Sequence, residues 1–493
     1  MTLLIRNGTL ITASETFNAD IYVVGERIQA IGTNLLETIR ASVDGSHDEG
    51  GNPGEAGDLI SGVHIIDASG KLIFPGGVDP HTHFDLPMFD TVSSDDHYTG
   101  HKAAAFGGTT TVIDFVPQEP GSLVENIHIW QAKAAKAAID YSFHMNITRL
   151  NDQVKAEIPS LPDLGLTSIK VFTAYNNRLR LSDGEIFLVL RMAAENGLLT
   201  LLHAENGDVI ELLVAEALAT GHTSPEWHAH TRPAWGAVEA AFRGIALAAQ
   251  AKAPLYLVHM NTAGEVDQLR YARERGLSVM GETCPQYLFF TVDHLRRPDG
   301  AKWVCSPPMR SEEDNRYLWR ALADGTIQTI GTDHCPFFYN GSQPILYESQ
   351  PVAIPGKELG KDDFTKIPNG LPGVGDRLPV LWTYGVRSGR ITPNQFVDLT
   401  STQPAKIFGL YPRKGALLPG ADADLVIWDP QRRLTYGVDH AQHRTDYNLY
   451  ENWELVGFPE KVFLRGRLLV DCERWSGSPG IGRFIKRERG LII

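Results

Sequence analysis

Five short segments, far apart in the chain, each end an apolar, strand-like run on a residue of metal-ligand type: Gly76 to His83, Ser168 to Lys170, Leu198 to His203, Leu255 to His259 and Gln328 to Asp333. Side chains two apart on an extended strand share a face, so His81 and His83 can address one ion from one side. A lone His-x-His carries little weight. Lys170, His203, His259 and Asp333, each closing a run of its own, add what that pair lacks.

From Leu72 onward strand and helix patterns alternate. The strand candidates are Leu72 to Val78, Thr109 to Phe115, Tyr141 to Ile147, Ser168 to Phe172, Leu198 to Leu202, Pro254 to Val258, Leu277 to Gly281 and Gln328 to Thr332. Eight such strands close a parallel (β/α)8 barrel, whose active sites collect at the carboxyl ends of the strands, where all six candidate ligands fall. Helix ends are legible between them. Thr262-Ala263-Gly264-Glu265 is a capping box opening a helix that runs to Gly276, and Thr392-Pro393 puts proline at a first helical position. Val209, Leu212 and Leu213 recur at helical spacing after His203, as a core-facing stripe would.

Outside this region the pattern is short strands: Leu3 to Ile5, Thr9 to Thr12, Ile21 to Val24 and Ile28 to Ile31 at one end, Ala423 to Trp428 and Val462 to Gly466 at the other. Neither set closes a core alone, so residues 1–71 and 412–475 are expected to pair into one small β-sandwich domain beside a barrel spanning 72–411, with 476–493 as a C-terminal extension. Ser42 to Gly62, rich in Gly, Asp, Glu and Ser, reads as a flexible surface insertion.

Composition narrows the function classes. With 493 residues, 43% of them hydrophobic and 21% charged, the chain is an ordinary globular one. A net charge of -14 opposes nucleic-acid phosphate. No apolar run is long enough to span a bilayer, and the first residues have no signal-peptide pattern. Cys284, Cys305, Cys335 and Cys472 fall in no paired spacing, which fits a reduced, cytoplasmic setting.

Imidazole and carboxylate suit zinc and related divalent ions, and a pair of ions roughly 3.5 to 4 Å apart can share a hydroxide at neutral pH. Lys170 is the awkward member, because an ammonium repels cations. Buried and neutral, it can take up carbon dioxide as a carbamate and become an anionic bridge; the other reading is a lysine salt-bridged inside the barrel.

These residues sit in motifs that resemble the cyclic amidohydrolases, most closely their dihydropyrimidinase and hydantoinase branch. The motifs are Gly-Gly-Val-Asp-Pro-His-Thr-His at 76 to 83, Ile-Lys-Val-Phe-Thr-Ala-Tyr at 169 to 175, His-Ala-Glu-Asn-Gly at 203 to 207, Gly-Glu-Thr-Cys-Pro-Gln-Tyr-Leu at 281 to 288, Ser-Pro-Pro-Met-Arg at 306 to 310, Gly-Thr-Asp-His-Cys-Pro-Phe at 331 to 337, Asp-Phe-Thr-Lys-Ile-Pro-Asn-Gly at 363 to 370 and Gly-Ala-Asp-Ala-Asp-Leu-Val at 420 to 426. The resemblance implies two divalent ions per chain, zinc or manganese, with His81 and His83 on one, His203 and His259 on the other, and Lys170 bridging as N6-carboxylysine. It further implies that Asp333 ligates the first ion and carries the proton between a bridging hydroxide and the leaving ring nitrogen, that Tyr175 donates to the developing oxyanion, and that backbone groups at Ser306 and Asn369 hold the cyclic amide edge. Met88, Phe172 and Leu179 match the wall facing the substrate's substituent.

The implied reaction is ring opening of 5,6-dihydropyrimidines or 5-substituted hydantoins to N-carbamoyl amino acids, by a homotetramer or dimer acting on small cyclic ureides. An allantoinase-like enzyme is the neighbouring alternative, and a non-catalytic scaffold the distant one. Dihydroorotases place an arginine two residues after the second histidine, where this chain has Asp85, so a carboxylate substrate is disfavoured. Tyr339 to about Gly356 adds a stretch such enzymes usually lack, expected to lie as a loop expelled to the surface.

Overall fold

The computed structural model describes residues 2–44, 62–88, 91–341, 344–347 and 350–490. Eight parallel strands follow one another round a sheet in sequence order: Gly77–Thr82, Thr109–Val116, Asp140–Asn146, Ser168–Phe172, Leu199–His203, Leu255–Leu257, Val279–Thr283 and Thr329–Ile330. The last and first strands share no regular ladder. Their seam is closed by side chains: Asp79 accepts from the Thr332 amide at 3.1 Å and its hydroxyl at 2.7 Å, while the buried Arg377 guanidinium donates to both Val78 O and Ile330 O at 3.0 and 2.8 Å. A single bridge, Thr82 to His334, completes it at the carboxyl end.

Helices cover the barrel by ordinary amphipathic logic. Asp183–Glu195 opens on a Ser182/Glu185 capping box and buries Ile186, Val189, Leu190 and Ala193, one stripe at helical spacing. The expected capping box at Thr262 and Glu265 is present, heading a helix over Ala263–Glu274. The stripe expected after His203 is a correction. In Gly207–Ala219 only Gly207 and Ala217 are buried, and Leu212 is 66% exposed. The helix that covers the fifth strand is the next long one, Ala234–Ala251, whose Gly244 lies so close to Leu202 that an added Cβ would stand 2.1 Å from it.

The strand expected over Leu72 to Val78 is two strands. Leu72–Pro75 pairs with Leu425–Tyr436 and Thr2–Ile11, whereas Gly77–Thr82 starts the barrel. The chain changes sheets at Gly76, where a Cβ would come 2.0 Å from the Thr110 hydroxyl. Both chain ends build the small β domain: a nine-stranded mixed sheet in which Arg27–Gly32 lies at one end and Arg474–Trp475 at the other. The sheet curls on itself, since Ile28 donates to Ala421 O and Ala423 to Glu26 O, and encloses Leu3, Ile21, Ile28, Ile73, Leu425 and Phe463. Lys414 ties this domain to the barrel through Asp140, Asp424 and Asp422 at 2.6, 2.8 and 3.0 Å, all of them buried. Beyond residue 476 the chain runs under the barrel, where Arg487 donates to the Ser142 and Ser168 hydroxyls.

Two further expectations concern insertions. Helix Leu35–Asp44 runs into the stretch read as starting at Ser42, and most of the remainder lies outside the described residues. The stretch after Tyr339 is a hairpin and not a loop, exposed along Gln350–Ala353 but anchored by buried side chains. Pro344–Tyr347 and Gln350–Ala353 form a hairpin, Ile345 and Ile354 are buried against Val92 and Phe338, and the Thr91 hydroxyl donates to Pro355 O at 2.6 Å. No helix among the described residues is long and apolar enough to cross a membrane.

Candidate active site

His81 belongs to the first strand, His83 follows it, Lys170 is central in the fourth and His203 ends the fifth. His259 and Asp333 stand just past the sixth and eighth. All six line one cavity of about 300 Å³ at the carboxyl end of the barrel, and Tyr175, Ser306, Asn369, Met88, Phe172 and Leu179 line it too. Backbone geometry is unusual here: Tyr175, His259 and Asp333 have φ of 65°, 39° and 53°, a left-handed conformation that non-glycine residues adopt at a cost and that concentrates at functional sites.

The ligand-type atoms converge. Single ligand atoms of His81, His259 and Asp333 lie within 4.8 Å of one another, close enough to hold a metal ion. Asp333 Oδ1 is 3.1 Å from His83 Nε2 and 3.2 Å from His81 Nε2, and His203 Nδ1 is 3.0 Å from His259 Nε2. Carboxylates behind the imidazoles choose which nitrogen faces the cavity. Glu282 takes His81 Nδ1 at 2.6 Å, and Glu205 takes His203 Nε2 at 2.8 Å. This is the arrangement by which metal-binding histidines are oriented.

Electrostatics follow burial and charge. Burial lowers the His83 pKa to about 4 and that of Lys170 to about 8. Asp333 is driven well below the usual carboxylate range because the imidazoles of His81 and His83 outweigh its own burial, and burial raises Tyr175. The Lys170 ammonium makes no ion pair or hydrogen bond among the described residues and sits 4.7 Å from the Phe115 ring centre. That removes the barrel salt bridge as an account of this lysine.

Several lining residues have no signal in the sequence. Gln118 is fixed by accepting from the Thr148 and Arg149 amides at 2.6 and 2.8 Å, and it shares the rim with Glu119, Arg178 and Asn146. The cavity lining is apolar at Met88, Phe172 and Leu179 and polar at Gln118, Glu119, Asn146 and Arg178. Asp85 does not line the cavity. It is buried at a φ of 52°, its carboxylate 3.4 Å from Lys136 and accepting from the His97 amide at 3.4 Å.

An eight-stranded barrel with histidines, a lysine and an aspartate meeting at its carboxyl end defines a metal-dependent hydrolase, and the chain belongs to the amidohydrolase family, whose sequence profile matches residues 72–469. Within it the chain falls in the hydantoinase and dihydropyrimidinase branch. It is 43% identical to the D-hydantoinase of Geobacillus stearothermophilus over 99% of this chain and 97% of that one. The dihydropyrimidinase of Brevibacillus agri NCHU1002 superposes with a TM-score of 0.91 at 44% identity, each chain covered in full. The D-hydantoinase of Bacillus sp. AR9 gives 0.90 at 44% identity over 99% of this chain and 100% of that one.

Proposed function

We propose that this chain hydrolyses the ring amide of neutral cyclic ureides, 5,6-dihydropyrimidines and 5-substituted hydantoins, to N-carbamoyl amino acids. The observation that carries this is the convergence of six ligand-type side chains from separate strands in one cavity that also holds Tyr175, Ser306 and Asn369. Nothing favours a non-catalytic scaffold, since every ligand-type residue is in place, and nothing favours allantoin over the other ureides.

The residues fit a pair of cations. His81 Nε2 and His83 Nδ1 are buried without a hydrogen-bond partner, and the facing His203 and His259 nitrogens stand close enough to share one charge. His81, His83 and Asp333 would hold one divalent ion and His203 and His259 the second, zinc in our reading with manganese the alternative. Lys170, buried and without an ion pair among the described residues, would join them after losing a proton and adding carbon dioxide as N6-carboxylysine. Bound ions supply Lewis acidity and a water acidic enough to attack at neutral pH.

The chain's own groups do the rest. Asp333 accepts the proton of the attacking water and returns it to the leaving ring nitrogen. Tyr175, kept protonated by burial, donates its hydroxyl to the carbonyl oxygen as negative charge develops there. Backbone groups at Ser306 and Asn369 hold the cyclic amide edge, and Met88, Phe172 and Leu179 receive the substituent. For the assembly we propose a homotetramer, with a dimer as its alternative. Leu212, Trp235 (81% exposed) and Phe242 leave an apolar face on the helices that a second subunit would cover. Four unpaired cysteines suit a reducing cytoplasm.

The test is turnover by metal-loaded protein on dihydrouracil, hydantoin, a 5-aryl hydantoin, allantoin and dihydroorotate. Release of N-carbamoyl products from the neutral ureides is expected. No ring opening of any of them after loading with zinc or manganese would overturn the reading.

A further inference from the structure

Lys357 is 1% exposed, yet its ammonium has no ion-pair partner among the described residues. It donates instead to two backbone carbonyls, Val304 O at 2.9 Å and Pro368 O at 3.1 Å. Those carbonyls belong to different loops. Val304 lies two residues before Ser306 and Pro368 one before Asn369, and Ser306 and Asn369 both line the active-site cavity. Val304 O also accepts from the Gly370 amide at 3.3 Å, so the loops meet at this point.

The lysine is itself anchored. Its amide donates to Phe338 O at 2.8 Å, and the preceding Gly356 passes so near that a Cβ would stand 2.2 Å from the same carbonyl. On the far side, His228 Nε2 is 2.8 Å from Cys305 O and 3.2 Å from the Ser306 hydroxyl. The Ser306 loop is thereby held between a histidine and the ammonium.

We propose that Lys357 is a positioning residue for substrate binding: its ammonium ties the Ser306 loop to the Asn369 loop and so sets the spacing of the backbone groups that grip the cyclic amide edge. The proposal rests on the role given above to Ser306 and Asn369. A methionine would fill the same volume without a charge to bury, so the ammonium is retained for its donors, at most three, of which two are used here. Burial, only partly offset by the Cys305 and Cys335 thiols, brings its pKa down to about 7, which measures how unfavourable the position is for a cation. Lys357 touches no ligand-type residue, so its loss leaves the hydrolytic groups in place.

The experiment compares metal-loaded wild type, Lys357→Met and Lys357→Gln by kcat, KM for hydantoin, metal content and thermal midpoint. Both variants are expected to keep wild-type metal content and a kcat within about threefold. KM is expected to rise about tenfold or more in Lys357→Met and less in Lys357→Gln, whose amide still offers donors. A folded Lys357→Met with unaltered KM beside an active wild type overturns this proposal alone. Loss of metal or of kcat without a change in KM overturns it as well, as does failure of both variants to fold, which would make Lys357 a residue of the core only. A wild type inactive on every cyclic ureide overturns the functional reading and this inference together.

Discussion

Glu282 Oε1 lies 2.6 Å from Nδ1 of His81, with both side chains buried, and this contact turns Nε2 of the imidazole toward Asp333. The same carboxylate accepts from the Tyr256 hydroxyl at 3.0 Å and the His259 amide at 3.2 Å. One acid therefore orients two of the residues that face the cavity. Glu282→Gln keeps the shape and weakens the hold on His81, so metal affinity should fall by about 10- to 100-fold. Competition with a chelator measures it, and an unchanged affinity would show that the imidazole needs no such support.

Lys170 gives the sharpest test of the bridging role. Lys170→Ala should lose both metal and turnover, and a short carboxylic acid added to that variant should restore part of each by standing in for the carbamate. Lys170→Arg should be inactive, because a guanidinium stays charged and cannot take up carbon dioxide. An arginine variant that works like the wild type would end the carbamate reading.

Asp333→Asn removes the carboxylate proposed to carry the proton and leaves a neutral side chain of the same shape next to His81 and His83. General acid–base work contributes about 100- to 10,000-fold, so kcat should fall by at least that much in protein still holding metal. Metal analysis of the same sample separates the two roles. A loss below about tenfold would move the proton transfer to another group.

Lys414→Met tests the junction of barrel and β domain. It would leave Asp140, Asp422 and Asp424 buried without their shared cation, only Asp140 and Asp422 keeping arginine partners. Breaking a buried network by removing one partner costs about 3 to 5 kcal/mol. The denaturation midpoint should drop accordingly, with KM unchanged in protein that remains folded; an unaltered midpoint would mean that the carboxylates take up protons or find other partners.

What could be read in the sequence was what repeats locally. The six ligand-type residues were visible because an apolar run leads up to each, although Lys170 lies in the middle of its strand and not at its end, and the box at Thr262 and Glu265 because its two members lie three apart. What could not be read depends on distant partners. Glu282 reaches His81 across 201 positions, and although it follows the run Leu277 to Gly281, nothing local tells which imidazole it meets. Glu205, two residues past His203, had a weaker form of such a signal, since alternate residues of a strand share a side. The break at Gly76 was hidden because the residues on either side read as one apolar run. Val209 and Leu212 looked internal because periodicity reports that a helix has an apolar face without saying what covers it.

The proposed preference for neutral ureides rests on the absence of an arginine at position 85 and on the wall at Met88, Phe172 and Leu179. We expect a carboxylate to be disfavoured there, since Met88, Phe172 and Leu179 offer no cation and an entering carboxylate would lose hydration, at a cost of several kcal/mol. Arg178 stands at the mouth, too exposed to replace that hydration fully, so dihydroorotate should be a poor substrate beside dihydrouracil. Phe172 is the largest member of the wall, 8% exposed, and its ring centre is 5.8 Å from that of His203. Phe172→Ala replaces no ligand-type residue, though its ring packs near His203 and Lys170, and should open room for a bulky substituent, raising the ratio of kcat/KM for a 5-aryl hydantoin over that for dihydrouracil. One methylene in an apolar pocket is worth about 1 to 3 kcal/mol, so a shift of about tenfold or more in that ratio is the expected size. If the ratio is unchanged, or dihydroorotate proves the best substrate, the substituent lies elsewhere in the cavity, with the Gln118 and Glu119 rim the next place to look.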